Sequence, residues 1–162
     1  MMETDIIFSP VLDSFLEIRY NTAISSVRFI GSGNKPVRKR VKTSFELEEY
    51  FRGERFEFSC DVDLSGLSDF TRRVLEETRK IKYGTTITYS ELARRIKSSA
   101  VRAVGGALGR NPVPIIIPCH RVVAKNGIGG YSSGVDVKIK LLELERKHLQ
   151  YFRFSLVPNK QL

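Results

Sequence analysis

Apolar and polar residues alternate along two segments near the amino terminus, residues 16–21 (LEIRYN) and 25–31 (SSVRFIG). Such alternation is typical of β-strands, and the short connection between the two segments suits a hairpin. The alternation returns at residues 55–64 (RFEFSCDVDL), where we expect another strand. Residues 45–53 (FELEEYFRG) lie in between and are predicted to form a helix that ends at Gly53.

In the second half of the chain the apolar spacing becomes that of amphipathic helices. Ser68 is placed to cap a helix that runs to about Lys82. Its predicted inward-facing residues are Phe70, Val74 and Leu75. A last helix is expected from about Val135 to His148, followed by a strand or extended segment at residues 151–157. The predicted inner face of that helix carries Val137, Leu141 and Leu144.

Two short helices are predicted between these outer ones. Residues 82–96 fit a turn, a short extended piece and a helix, and residues 97–99 (KSS) fit a tight turn. Ser98 or Ser99 is then expected to cap the next helix, at residues 100–110. Two short helices joined by a tight turn are typical of a helix-turn-helix.

Together these elements predict an α+β fold of two parts. Residues 1–66 would form a small N-terminal domain with a β-hairpin sheet, and residues 67–162 a mainly helical domain that contains the helix-turn-helix. The segment 65–70 (SGLSDF) marks the boundary. Residues 33–42 form a basic connector with Gly and Pro, which we interpret as a solvated loop.

The composition is that of a globular protein with a strong basic excess. Hydrophobic residues make up 41% of the 162 residues, and 27 Lys and Arg outnumber 18 Asp and Glu, for a net charge of +9. This excess favours a polyanionic partner such as nucleic acid, although a merely solvated surface explains the charge equally well. No apolar run is long enough for a bilayer, and the amino terminus lacks a basic signal region, so neither a membrane nor a secretory signal is expected.

The chain has two cysteines, Cys60 and Cys119, and two histidines, His120 and His148. Neither CxxC nor HxxxH spacing occurs, so we expect no metal site. Free thiols in a reducing, cytoplasmic compartment are the simplest account. Cys60 lies inside a predicted strand and is interpreted as a structural, partly buried thiol.

Cys119 follows a stiff apolar segment, NPVPIIIP, and is followed by His120 and Arg121. A cysteine attacks as its thiolate, and a neighbouring base makes it reactive near neutral pH. The alternative is an inert cysteine at the end of a core strand, which is the commoner case for a cysteine in general; His120 and Arg121 narrow the difference between the two interpretations but do not close it. A candidate nucleophile about ten residues after a helix-turn-helix indicates chemistry on a nucleic-acid base, which must leave the stack to be reached.

Three motifs carry a family resemblance: VRAVGGALGRNP (101–112), NPVP (111–114) and IPCHRVV (117–123). They closely resemble the O6-alkylguanine-DNA alkyltransferases, also called methylated-DNA–protein-cysteine methyltransferases. The resemblance covers about Phe70 to Arg146, and the zinc ligands that some members carry in their N-terminal domain are absent. It implies a monomer without a cofactor that acts on double-stranded DNA carrying O6-alkylguanine, and possibly O4-alkylthymine.

The resemblance also implies roles for residues around the thiol. Cys119 would accept the alkyl group from O6 of guanine in a single irreversible turnover. His120 would take the thiol proton through a bound water, and Glu145 would orient His120. Asn111 would fix the segments around the site, and Arg121 is interpreted as a structural anchor.

A further set of residues would contact DNA. Arg102 would replace the extruded guanine in the duplex, and Ala103 and Gly105 would give the second helix a small-residue surface for the minor groove. From residue types alone, a solvated arginine and close helix–helix packing explain these positions as well.

Tyr89 would push the target phosphate, or it is a buried aromatic residue at a helix start. Tyr131 and Ser132, in the loop 129–134, would meet the base, although the same loop also fits a flexible Gly/Ser turn.

Two other functions stay open. A lesion-binding sensor of the same family would lack the reactive cysteine, and a helix-turn-helix regulator would carry an incidental thiol. The set Cys119, His120 and Glu145 favours the transferase over both, because neither alternative needs it.

Overall fold

The amino-terminal part forms a three-stranded antiparallel sheet in the computed structural model, which describes residues 1–37 and 41–155. The strands are β1 (Glu3–Ser9), β2 (Ser14–Tyr20) and β3 (Ile24–Gly31), in that order across the sheet. The predicted hairpin is confirmed as β2 and β3. The additional strand β1 pairs with β2 along its whole length.

Strand β1 escaped prediction because its inward positions are mostly polar. Asp5, Ile7 and Ser9 are buried, whereas Phe8 points outward and is exposed. The buried Asp5 carboxylate accepts hydrogen bonds from Ser44 Oγ at 2.7 Å and Tyr20 Oη at 3.1 Å. Since Ser44 lies on the first helix, this buried pairing ties that helix to the sheet.

Helix α1 (Lys42–Phe51) confirms the predicted helix but begins three residues earlier. The chain leaves it through Gly53, whose φ of +75° favours glycine. A Cβ at Gly53 would lie 2.2 Å from the ring of His148, so this position also allows a close approach to the last helix.

The strand predicted at residues 55–64 is wrong. The segment makes one isolated bridge, Val62 with Ile24, through hydrogen bonds from Ile24 N to Asp61 O and from Asp63 N to Ile24 O, both 2.9 Å. Its alternation still marks the inward face, because Cys60 and its neighbours at every second position pack partly buried against the core. The alternation therefore predicted correctly which side chains face the core. A β-strand also requires a partner strand with which to form a series of backbone hydrogen bonds, and residues 55–64 make only one bridge.

The second half contains α2 (Asp69–Arg79), α3 (Tyr89–Arg95), α4 (Val101–Gly109) and α5 (Val135–Ser155). Ser68 caps α2 as predicted, since its Oγ accepts from Thr71 N at 3.2 Å. Val74 and Leu75 on the inner face of α2 are fully buried, and Phe70 on the same helix is partly buried against the core.

Helices α3 and α4 confirm the predicted helix-turn-helix, but the predicted cap between them is wrong. Ala100 precedes α4 and supplies no side-chain hydrogen bond. Ser98 Oγ instead accepts from Ala100 N at 3.1 Å, one residue before the helix begins.

Helix α5 extends seven residues beyond its predicted end at His148, so the strand or extended segment expected from residue 151 is wrong as far as residue 155. Residues 156 and 157 lie outside the described residues. The extra helical turns are supported by Phe152, whose ring meets that of Phe56 at 5.1 Å between centroids. None of the helices in the described ranges has the length and hydropathy that a membrane crossing requires.

Two short connections bring the functional segments together. The two-residue strands β4 (Ile87–Thr88) and β5 (Val122–Val123) pair in parallel, which holds the start of α3 beside the residues that follow Cys119. On the other side, Val27 N of β3 donates to Pro112 O at 2.9 Å. The sheet thereby supports the segment that leads to the cysteine.

The cap at Ser68 gives a stability prediction. Ser68→Ala removes the only side-chain cap of α2 and should lower the free energy of unfolding by about 1 kcal/mol. Ser99→Ala is the matched control, because Ser99 is exposed and makes no side-chain hydrogen bond in the described part of the chain. Urea denaturation of both variants measures the difference, and equal losses would contradict the assignment.

Candidate active site

Cys119 forms part of the wall of a cavity of about 300 Å³ that opens between α3, α4 and the loop 129–134. The sulfur therefore faces the second helix of the helix-turn-helix. The residues that line the cavity are Tyr89, Gly105, Leu108, Gly109, Cys119, Gly130, Tyr131 and Ser132.

The backbone before Cys119 is held in an unusual conformation. Ile115, Ile116 and Ile117 are all buried, and Ile115 has φ of +74°, a strained value for a β-branched residue. A single turn of 3-10 helix, Cys119–Arg121, follows Pro118. Buried isoleucines and a short turn thus fix the position of the sulfur.

Asn111 joins three points around the sulfur. Its Nδ2 donates to Ile117 O at 2.8 Å and to Cys119 Sγ at 3.2 Å, while its Oδ1 accepts from Val113 N at 3.0 Å. The side chain therefore contacts both the lead-in segment and the thiol.

Burial raises the pKa of the Cys119 thiol above its ordinary value, and the hydrogen bond from Asn111 opposes this rise. The side chain is only 7% exposed. The thiol is therefore mostly protonated at neutral pH, and nucleophilic attack requires a group that removes its proton.

His120 is fully buried beside the thiol, and its Nε2 lies 2.7 Å from Glu145 Oε1. Because Glu145 is ionised, Nε2 carries the proton and Nδ1 is the basic nitrogen. Nδ1 is buried and has no hydrogen-bond partner among the described residues. Burial lowers the pKa of His120 despite the opposing effect of Glu145, so the ring is neutral and able to accept a proton near pH 7.

Glu145 is buried and held by several donors. Arg121 donates from Nε to Oε2 at 3.0 Å and from Nη2 to Oε1 at 2.9 Å, and Gly84 N donates to Oε2 at 3.1 Å. Burial alone would raise the pKa of Glu145, but His120 and Arg121 outweigh it and bring it to about 2. These bonds fit the structural role expected for Arg121.

Sequence reasoning missed Tyr50, which reaches the site from α1. Its hydroxyl donates to Glu145 Oε1 at 2.7 Å and lies 3.5 Å from His120 Nε2. The side chain is fully buried. Tyr50 precedes Glu145 by 95 residues, and no local pattern in the chain connects the two.

Lys138 was also missed, and it is a fully buried cation. Its Nζ donates to Val122 O at 2.7 Å and Gly130 O at 3.0 Å, and lies 3.5 Å from Tyr89 Oη. Burial lowers the pKa of Lys138, whereas the charge of Cys119 raises it. One signal was available: Lys138 precedes Glu145 by two helical turns and shares its face of α5.

The residues predicted to meet DNA lie on an open face of α4. Arg102 and Ala103 are exposed and do not line the cavity, whereas Gly105 does. A Cβ at Gly105 or Gly109 would meet nothing within 4 Å, so close helix–helix packing does not account for these glycines. Arg102 makes no ion pair or hydrogen bond in the described ranges and is available to a partner.

Tyr89 and the loop 129–134 close the other side of the cavity. Tyr89 Oη donates to Gly130 O at 3.4 Å. Gly129 has φ of +77°, and a Cβ there would lie 2.9 Å from Tyr89 Oη, so glycine is required for this approach. Tyr131 and Ser132 line the cavity, Tyr131 half-buried and Ser132 exposed. Within the described residues, no group of three or more potential metal ligands is assembled.

Comparison with known proteins gives consistent matches. The family model "6-O-methylguanine DNA methyltransferase, DNA binding domain" matches residues 69–147. A methylated-DNA–protein-cysteine methyltransferase of Metallosphaera sedula is 50% identical over 100 residues, covering 62% of this chain and 64% of that protein. A probable methylated-DNA–protein-cysteine methyltransferase of Acanthamoeba polyphaga mimivirus is 44% identical over 132 residues, covering 80% of this chain and 86% of that protein.

This chain belongs to the methylated-DNA–protein-cysteine methyltransferase family. Its fold matches the crystal structure of Mycobacterium tuberculosis O6-methylguanine methyltransferase with a TM-score of 0.81 at 34% identity, covering 94% of this chain and 99% of that one. A structure of Mycobacterium tuberculosis OGT in complex with DNA matches with a TM-score of 0.79 at 35% identity, covering 88% and 92%.

The residues that the methyltransferase family model matches include most of the site but not all of it. Its match contains Tyr89, Cys119 and Glu145 but not Tyr50, which lies outside residues 69–147. The matched part of this chain also spans less than two thirds of the length of the Metallosphaera sedula methyltransferase.

The charges around Glu145 give a prediction on pH and stability. Because its pKa falls from 4.5 to about 2 in the folded protein, Glu145 adds stability above its ordinary pKa that is lost as the pH falls toward 2. Glu145→Gln should lower the free energy of unfolding at pH 7 by about 3–5 kcal/mol, since Arg121 stays buried without its carboxylate. The variant should also lose less stability than the wild type as the pH falls from about 5 to 2.

The control is Glu143→Gln on the same helix, where the carboxylate is exposed and makes no ion pair in the described residues. Urea denaturation across this pH range measures both effects. Parallel pH curves for the two variants would contradict the prediction.

Proposed function

We propose that this protein repairs alkylated DNA by direct reversal, with Cys119 taking the alkyl group from O6 of guanine. The observation that carries the proposal is the placement of Cys119 in the wall of a cavity that faces α4, with the next residue in the chain, His120, buried and paired with Glu145. Membership of the methyltransferase family supports the same chemistry. The protein would act as a monomer on duplex DNA in a reducing, cytoplasmic compartment, which keeps the thiol free.

The reaction begins with a proton transfer. Since burial keeps the thiol protonated, its proton must pass to Nδ1 of His120, through the bound water that the family resemblance implies. His120 becomes an imidazolium whose Nε2–H donates to the Glu145 carboxylate at 2.7 Å. This is the nucleophile, base and orienting-acid arrangement of a hydrolase.

The sulfur then attacks the alkyl carbon in line with the C–O6 bond. A carbon–sulfur bond forms, the C–O6 bond breaks, and its electron pair stays on the guanine. The guanine recovers a proton, which balances the one taken from the thiol. A thioether is a poor leaving group, so Cys119 is consumed in one turnover and the transfer requires no cofactor.

Lys138 provides the electrostatic support for this step. It is a buried cation close enough to Cys119 for each charge to affect the pKa of the other. Its hydrogen bonds to two backbone carbonyl oxygens fix the ammonium group without neutralising it. The positive charge therefore favours the negative sulfur that forms as the proton leaves.

The cavity admits a guanine only after the nucleotide has left the duplex. Helix α4 offers DNA an exposed surface of small residues, and Arg102 on this helix makes no ion pair or hydrogen bond with the residues that the structure describes. We assign Arg102 to the gap that the extruded guanine leaves, and Tyr89 to the phosphate at the cavity mouth. The net charge of +9 fits binding to the phosphate backbone.

Intact mass spectrometry tests the transfer. Wild-type protein incubated with duplex DNA containing O6-methylguanine should gain one methyl group, and Cys119→Ser should gain none. Cys60→Ser is the matched control and should react like the wild type, because Cys60 lies outside the cavity. Binding to the lesion without a mass gain would contradict the proposal in favour of a sensor, and equal binding to undamaged DNA without a mass gain would favour a regulator.

A comparison of two substrates tests Arg102. Arg102→Ala should slow repair of duplex DNA by about tenfold or more, since nucleotide extrusion costs a few kcal/mol, and should leave the reaction with free O6-benzylguanine unchanged. Arg52→Ala removes the same charge at the end of α1, outside the residues that line the cavity, and serves as the control. Equal slowing on both substrates would contradict the role given to Arg102.

A further inference from the structure

We propose that Tyr50, on α1, is a positioning residue for alkyl transfer that acts through Glu145 to keep His120 ready to accept the Cys119 proton. The inference rests on the proposed function and adds a residue from outside the part that the family model matches. It also gives the amino-terminal half of the chain a chemical role.

The geometry places Tyr50 directly on the His120–Glu145 pair. Its single O–H donates to Glu145 Oε1 at 2.7 Å, the same oxygen that lies 2.7 Å from His120 Nε2. The Tyr50 oxygen is itself 3.5 Å from that nitrogen. The two groups therefore share one carboxylate oxygen.

The position of the hydroxyl is fixed by packing. The Tyr50 ring is fully buried and lies within 6 Å, between centroids, of three other rings. These rings belong to Phe51, Phe58 and Tyr83. Burial and the negative charge of Glu145 raise the pKa of Tyr50, so the hydroxyl stays protonated and remains a donor.

Sharing this oxygen affects the basicity of His120. A donor to Oε1 stabilises the negative charge of the carboxylate and weakens its attraction for an imidazolium. Without the Tyr50 hydroxyl, Glu145 would hold the protonated form of His120 more strongly, and a protonated His120 cannot take the thiol proton. The other charged groups acting on His120 are Arg121 and Lys138, which both oppose its protonation.

The test is the pH dependence of benzyl transfer from free O6-benzylguanine, which requires no DNA. In Tyr50→Phe the acid limb of the rate profile should move up by about one pH unit, because a hydrogen bond to a charged group is lost. The rate should fall about tenfold below the limb and change less than about twofold on the alkaline plateau.

Tyr83→Phe is the matched control. Its hydroxyl is buried in the same aromatic cluster and has no hydrogen-bond partner among the described residues, so its removal should leave the limb in place. A uniform loss at all pH values in Tyr50→Phe, or a limb that does not move, would overturn the proposal, since a merely structural role predicts those results.

A second measurement follows His120 itself. The chain has two histidines, so ring nitrogen NMR can resolve the titration of each, with His148 as the internal reference. The pKa of His120 should rise in Tyr50→Phe, and the same substitution should have no such effect in a Glu145→Gln background. An unchanged titration in the first case, or an equal shift in both, would overturn the proposal.

The wild-type protein provides a test that does not depend on a stable variant. A slowly exchanging Tyr50 hydroxyl proton should show a cross-relaxation peak to the His120 ring, and its absence would overturn the proposal. If wild-type protein transfers no benzyl group to Cys119, the proposed function fails. The NMR titration would still decide whether Tyr50 controls His120.

Discussion

The buried carboxylate of Glu145 is the interaction on which the rest of the site depends. A charge with 1% exposure is tolerated only when hydrogen bonds and an opposite charge replace water. Here Arg121, His120, Tyr50 and the backbone of Gly84 supply them. These donors come from a 3-10 turn, a loop and α1, while Glu145 lies on α5, so one ion fixes the mutual positions of segments far apart in sequence. The same contacts that make the burial of Glu145 tolerable also fix the orientation of the His120 ring.

The two buried cations near the site have different consequences. Arg121 forms a forked ion pair with Glu145, and the negative charge of the carboxylate offsets most of the positive charge of the guanidinium. Lys138 is bound by carbonyl oxygens and retains a net charge close to Cys119. Burial makes the thiolate unfavourable, and Lys138 and Asn111 offset only part of that effect. The result is a thiol that stays protonated until a base removes its proton.

The sequence predicted features that depend on local chemistry. The Ser68 cap, the helix-turn-helix and the hairpin depend on neighbouring residues and were correct in outline. Features that depend on distant partners were missed: β1 buries the polar Asp5 because Ser44 satisfies it, and residues 55–64 alternate without a strand to pair with. In the site, the family motifs drew attention to Cys119, His120 and Glu145, and the structure brings the latter two into contact. Tyr50 carries no local signal, since only the tertiary fold brings α1 to α5.

This difference bears on what the amino-terminal half contributes. The family model matches residues 69–147, and the amino-terminal residues fall outside it. Yet the sheet supports the lead-in to Cys119 through Val27 and Pro112, and α1 places the Tyr50 hydroxyl on the oxygen that His120 also uses. A C-terminal half alone would retain Cys119, His120 and helix α4. It would lose the Tyr50 donor to Glu145, and the space that the Tyr50 ring fills would open to water. The amino-terminal half therefore supplies both support for the segment before Cys119 and a donor to the carboxylate oxygen that His120 contacts.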